Sequence, residues 1–178
     1  MAKAMKMATC VFAAATLILY VAYRIIPNST LLALVITAGT TLYHLGMRLA
    51  VGGVVDAHLH NRVDHTKPWF QPLAFEAKLY KRLGVKLWKK HLPAYQPELF
   101  DLKKHSFMEI AGAMCQAELV HEIIVVLSFV PVLFVPLLGA FWVFLITSIL
   151  AAAFDLCFVM IQRYNRPRIV KCIKTARV

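Results

Sequence analysis

Glu118, His121 and Glu122 open one of the chain's apolar runs. A helix turns about 100° per residue, so positions i, i+3 and i+4 share one face. An imidazole beside a carboxylate is the usual apparatus of a general base. The acid orients the ring and stabilises its charged form, and an imidazole titrates near neutrality. The spacing therefore makes His121 a candidate base, Glu118 its orienting acid and Glu122 a member of the same face. The plainer alternative is an interfacial cap around a satisfied histidine. His44 and Arg48 form another i, i+4 pair, and Arg48 has the chemistry to snorkel or to hold a carboxylate or phosphate. Asp155 lies in Ala153-Phe154-Asp155-Leu156-Cys157, where an ionised group needs a partner. Arg48 is the candidate at matching depth.

Asp56, His58, His60, Asp64 and His65 concentrate possible metal ligands in ten residues. Their spacing fits no zinc-finger pattern and lacks the cysteine partners of structural zinc. Glu118-x-x-His121 resembles half of a di-iron motif, which needs two such pairs and two further glutamates. Membrane desaturases carry richer arrays of paired histidines than the seven present here supply. The expectation is no bound metal, with those five residues as the runner-up site. Cys10, Cys115, Cys157 and Cys172 form no CxxC pair and read as small apolar fillers. Gln162-Arg163-Tyr164-Asn165-Arg166-Pro167-Arg168 is polar and basic where an apolar run ends. Arginine offers phosphate a planar fork, and a positive anchor is the plainer reading. There is no GxGxxG, P-loop, GxSxG or HEXXH motif.

The elements that must position these groups follow from composition. The chain has 178 residues, is 60% hydrophobic and only 16% charged, with mean hydropathy +0.66. Soluble domains usually carry about 25% charge. Disorder, coiled coil and disulfide scaffold are excluded, and a helical membrane protein remains. About 20 apolar residues cross a bilayer. Residues 8–26, 31–55, 117–135 and 139–161 meet that length, with a tight turn at Pro136-Leu137-Leu138-Gly139. The first run is longer than a signal-peptide core of about 7–15 residues, so it reads as a true span.

The net charge is +11. Lysine and arginine fall mostly in the 56–116 segment and in the 162–178 tail, which predicts both on the cytoplasmic side together with both termini. The basic patches flank spans, which argues against nucleic acid. Within 56–116, Trp69, Phe75, Tyr80, Trp88, Tyr95 and Phe107 alternate with lysines, the composition of the headgroup zone. Residues 75–90 predict one or two short amphipathic helices broken near Gly84, before a turn at Pro93 and Pro97. They read as an anchor on anionic lipid or a lid over a site.

Three stretches resemble a known family. They are Phe75-Glu76 to Leu79-Tyr80 with Leu83-Gly84-Val85-Lys86-Leu87-Trp88-Lys89-Lys90-His91-Leu92-Pro93, then Ala117-Glu118-Leu119-Val120-His121, then Gln162 to Arg168. Together they resemble the glycosyl-4,4'-diaponeurosporenoate acyltransferases, small membrane enzymes of staphyloxanthin synthesis. The resemblance implies acyl transfer from a thioester, acyl-CoA or acyl-carrier, to a sugar hydroxyl on a membrane lipid, with no bound cofactor. On that reading His121 is the base. Arg163, Arg166 and Arg168, with Lys89 and Lys90, hold the donor's phosphates. Trp88, Tyr164 and Asn165 line the headgroup, and Arg48 adds a cation. The rival readings are a histidine-rich membrane metalloenzyme, a small lipid methyltransferase and a non-catalytic lipid-binding subunit.

Overall fold

Inside hydrocarbon every backbone group must be paired within its own element, which favours helices. The computed structural model describes residues 2–92 and 96–175, and among them there is no strand. Pro93, Tyr95 and Arg177 lie outside the described residues. The long helices are α1 (Ala2–Ile25), α2 (Ser29–Leu59), α5 (Phe107–Leu127) and α7 (Phe141–Thr175). Short helices α3 (Glu76–Arg82) and α4 (Val85–Trp88) lie between α2 and α5, and α6 (Val135–Leu138) precedes α7. Four helical stretches have the length and apolarity to cross a membrane. Large side chains such as Ile18, Leu133 and Trp142 stay more than half exposed, which suits a lipid solvent. The protein is an all-α polytopic membrane protein.

The helices run past the apolar windows for local reasons. Asn28 Oδ1 accepts the backbone N–H of Leu31 at 2.8 Å and caps α2. Ser106 and Glu109 form a reciprocal capping box. Glu109 Oε2 accepts the Ser106 N–H at 2.8 Å, and the Glu109 N–H reaches Ser106 Oγ at 3.3 Å. α5 therefore starts ten residues before the hydropathy window. α7 continues through the basic segment to Thr175, with Pro167 inside it.

The chain divides into two compact units. One comprises Ala2–Val51 and Ile124–Phe154, the other Gly52–Ile123 and the residues from Asp155 onward. In the first, α5 stops at Leu127 because Pro131 has no N–H to offer the Leu127 carbonyl and its ring would crowd it. The Tyr43 hydroxyl donates to that carbonyl at 2.8 Å. Residues Val130–Phe134 form a 3-10 turn, and Gly139 and Ala140 then take positive φ before α7 begins. Arg48 belongs to this unit. Its Nη1 donates to the His44 carbonyl at 2.9 Å, its Nη2 to the Ala151 carbonyl at 3.3 Å, and it lies over the Phe154 ring.

In the second unit α2 ends at two positive-φ residues, His60 and Asn61. The following loop is fastened to α5. Gln116 Oε1 accepts the Asn61 N–H at 2.7 Å, while Gln116 Nε2 donates to Asp56 at 3.0 Å. Gly112 permits this approach, since a Cβ there would sit 2.7 Å from the Asn61 carbonyl oxygen. α3 and α4 meet at Gly84, where φ is +63°, a conformation that costs glycine little.

Candidate active site

The second unit carries a polar seam between α5 and α7. Along α5 it presents Glu118, His121 and Glu122, and along α7 Asp155, Arg163 and Arg166. As α5 advances from Glu118 to His121, the partner on α7 steps back from Arg163 and Arg166 to Asp155. The two helices thus run antiparallel along this seam.

The acid on His121 is Asp155. His121 Nδ1–H donates to Asp155 Oδ1 at 2.8 Å, and the ring stacks on Phe158 with centroids 4.7 Å apart and planes 10° from parallel. An ionised carboxylate only accepts hydrogen bonds, so this contact puts a proton on Nδ1, and in the neutral ring the lone pair then lies on Nε2. Among the described residues Nε2 has no hydrogen-bond partner. The Asp155 side chain is 1% exposed and that of His121 is 22%. The carboxylate is sealed while the ring reaches an accessible edge. This corrects the expectation that Glu118 orients His121.

Glu118 does something else. Its side chain is wholly buried. Oε1 accepts from Arg163 Nη1 at 2.6 Å, and Oε2 accepts from Arg166 Nη1. Arg163 also binds Glu76 through Nε, and it donates further to the carbonyls of Trp69 and Gln71 at 3.2 and 3.1 Å. Arg166 Nη2 donates to the Phe70 carbonyl at 2.6 Å, beneath the Phe70 ring. Two guanidiniums thus clasp three consecutive carbonyls of the 69–71 turn and two buried acids. Removing one partner of such a buried network costs about 3–5 kcal/mol, because the others stay charged and dry. Arg163 and Arg166 spend their forks inside the protein, which departs from their expected role on donor phosphates.

Glu122 accepts the Trp69 indole N–H at 2.9 Å, so the turn also touches the helix beside His121. Tyr80 is buried near this network, and its phenol is pushed up to about 12, first by burial and then by Glu76. Trp88 donates its indole N–H to the Leu83 carbonyl at 3.0 Å. Lys89 Nζ donates to Asn165 Oδ1 at 2.5 Å and stands 4.7 Å from the centroid of Tyr164. Arg168 covers the same ring at 3.9 Å. Lys90 is exposed.

The runner-up metal residues are engaged separately. Asp56 accepts from Gln116 and Asn61, and His58 Nδ1 meets the Val54 carbonyl at 2.8 Å. Asp64 accepts from the Thr66 N–H and hydroxyl, which hold its carboxyl below the ordinary value. His60 is exposed, and the carbonyl of His65 accepts from Gln71. Among the described residues no three His, Cys, Asp or Glu side chains converge as a metal set.

Fold and seam together define a small helical membrane protein with a histidine–aspartate pair beside a buried arginine–carboxylate network. The chain belongs to the glycosyl-4,4'-diaponeurosporenoate acyltransferase family (CrtO), whose model matches residues 66–175. It is an enzyme, an acyltransferase of a carotenoid-biosynthesis family. The matched stretch contains both members of the His121–Asp155 pair and every residue of the Glu118 network, and it excludes all five of the histidine-rich segment's candidate metal ligands. No curated protein matches the chain. No solved structure matches it.

Proposed function

We propose that the enzyme moves an acyl group from a thioester donor to a hydroxyl of a lipid-linked, glycosylated acceptor at the cytoplasmic membrane face. His121 Nε2 takes the hydroxyl proton as the acceptor oxygen attacks the thioester carbonyl. The tetrahedral intermediate then expels sulfur, the C–S bond breaks, and the imidazolium returns its proton to the leaving thiolate. Asp155 holds the ring and balances its transient charge from a site that water does not reach. Phe158 fixes the ring plane.

The observation that carries this reading is the His121–Asp155 contact, in which the acid is sealed and the imidazole stays partly exposed. The face assignment rests on the lysine and arginine distribution. The Glu118 network is structural on this account. It locks the 69–71 turn against the two helices that carry the base and its acid. The direct test is lipid mass spectrometry of host membranes with and without the gene. A lipid that gains the mass of one acyl chain only when the gene is present supports the proposal. Identical lipid profiles overturn it.

A further inference from the structure

Lys89 and Arg168 approach one aromatic ring. Lys89 Nζ lies 4.7 Å from the Tyr164 centroid and the Arg168 guanidinium carbon 3.9 Å from it. The two cations are therefore no farther apart than those distances added together. Among the described residues, neither has a carboxylate within ion-pair distance. This contrasts with Arg163 and Arg166 on the same helix, which are saturated by Glu76 and Glu118.

The ring is itself held. Tyr80 meets it edge-on at 6.2 Å, and Asn165 accepts one Lys89 proton at 2.5 Å. The Arg168 side chain is anchored by one Nη1 bond to the Tyr164 carbonyl. Cation–π attraction offsets part of the like-charge repulsion but leaves two positive charges uncompensated. The Lys89 ammonium is held below the ordinary lysine value chiefly by burial, with Tyr164 opposing the shift and Arg168 and Lys86 adding to it. Lys86 and Lys90 stand exposed on the same short segment.

We infer that Lys89 and Arg168, set on Tyr164, form a binding site for a phosphate ester. An anionic phosphate ester within reach of an ammonium and a planar fork gains charge-assisted hydrogen bonds from both. The inference deepens the proposed reaction, since thioester donors are carried on phosphate-bearing groups. A phospholipid headgroup offers the same chemistry, and the experiment separates the two sources.

The full chain is reconstituted in nanodiscs of zwitterionic phosphatidylcholine. Binding of coenzyme A is compared with that of pantetheine, which lacks the phosphates. In a second arm, retention of phosphatidylglycerol in mixed nanodiscs is measured. Wild type and the Lys89→Met/Arg168→Gln double variant are compared in both. A donor site predicts coenzyme A bound at least about tenfold more tightly than pantetheine, a preference lost in the double variant. A lipid site predicts no such preference but phosphatidylglycerol enrichment that the variant abolishes. Either result supports a phosphate site. Wild type and variant behaving alike in both arms overturns it. Tyr164→Leu removes the ring alone and is expected to weaken binding in whichever arm responds. His121→Ala is expected to keep the binding, so failure of the transfer chemistry and failure of this site show separately.

Discussion

His121 on α5 donates its Nδ1–H to Asp155 on α7 at 2.8 Å, and Asp155 is sealed from solvent while the imidazole is not. The bond joins two helices at the level of the proposed chemistry. It also selects the tautomer that leaves Nε2 able to accept a proton. Asp155→Asn tests this, because an amide that donates to Nδ1 reverses the tautomer. Acyl transfer is expected to fall by about 10²–10⁴-fold, the usual worth of a general base, with acceptor KM changed little. Turnover and KM in nanodiscs measure it. Wild-type turnover would remove Asp155 from the mechanism.

Glu118 is read as structural. Glu118→Ala leaves Arg166 a buried cation with no carboxylate and Arg163 with Glu76 alone, and is expected to cost about 3–5 kcal/mol of stability. Thermal unfolding in nanodiscs gives the number. Coenzyme A binding in the fraction that remains folded is expected to be unchanged. A variant as stable as wild type would mean that the network is solvated and weak.

Gly112 is a packing requirement. Gly112→Ala drives a Cβ to within 2.7 Å of the Asn61 carbonyl oxygen. Backbone cannot swing aside as a long side chain does, so the loop must lift, at about 1–3 kcal/mol. A lowered unfolding temperature is the expected outcome.

The Tyr43–Leu127 bond is tied to Pro131. Tyr43→Phe leaves the Leu127 carbonyl without its donor, at about 1–3 kcal/mol. Pro131→Ala supplies an N–H able to reach that carbonyl. The double variant is expected to recover part of the loss. A double-mutant cycle with purely additive effects would contradict this account.

These relationships differ in how far the sequence foretells them. The spans are legible because lipid demands long uninterrupted apolar runs. The break at Gly84 is legible because positive φ suits glycine. The start of α5 is not visible to hydropathy, since its first ten residues are set by the Ser106–Glu109 box. Periodicity places Glu118 and His121 on one face, but it cannot say which residue of another helix meets each. That choice is made by the register of α5 against α7, and it exchanges the two acids' roles. Glu76 and the carbonyls of residues 69–71 leave no periodic trace, because a turn that exists to satisfy two guanidiniums looks like any polar loop. Asp155 does leave a trace, as an acid in an apolar run, though its spacing does not name His121 as partner.

The most direct test of the central claim is acyl transfer by purified His121→Ala protein in nanodiscs. Labelled acyl-CoA and lipid extract from a host lacking the gene are supplied, and unfolding is recorded in parallel. The expected result is a folded protein whose acylated product falls by about 10²-fold or more from wild type. Product formed at the wild-type rate by the folded variant would contradict it.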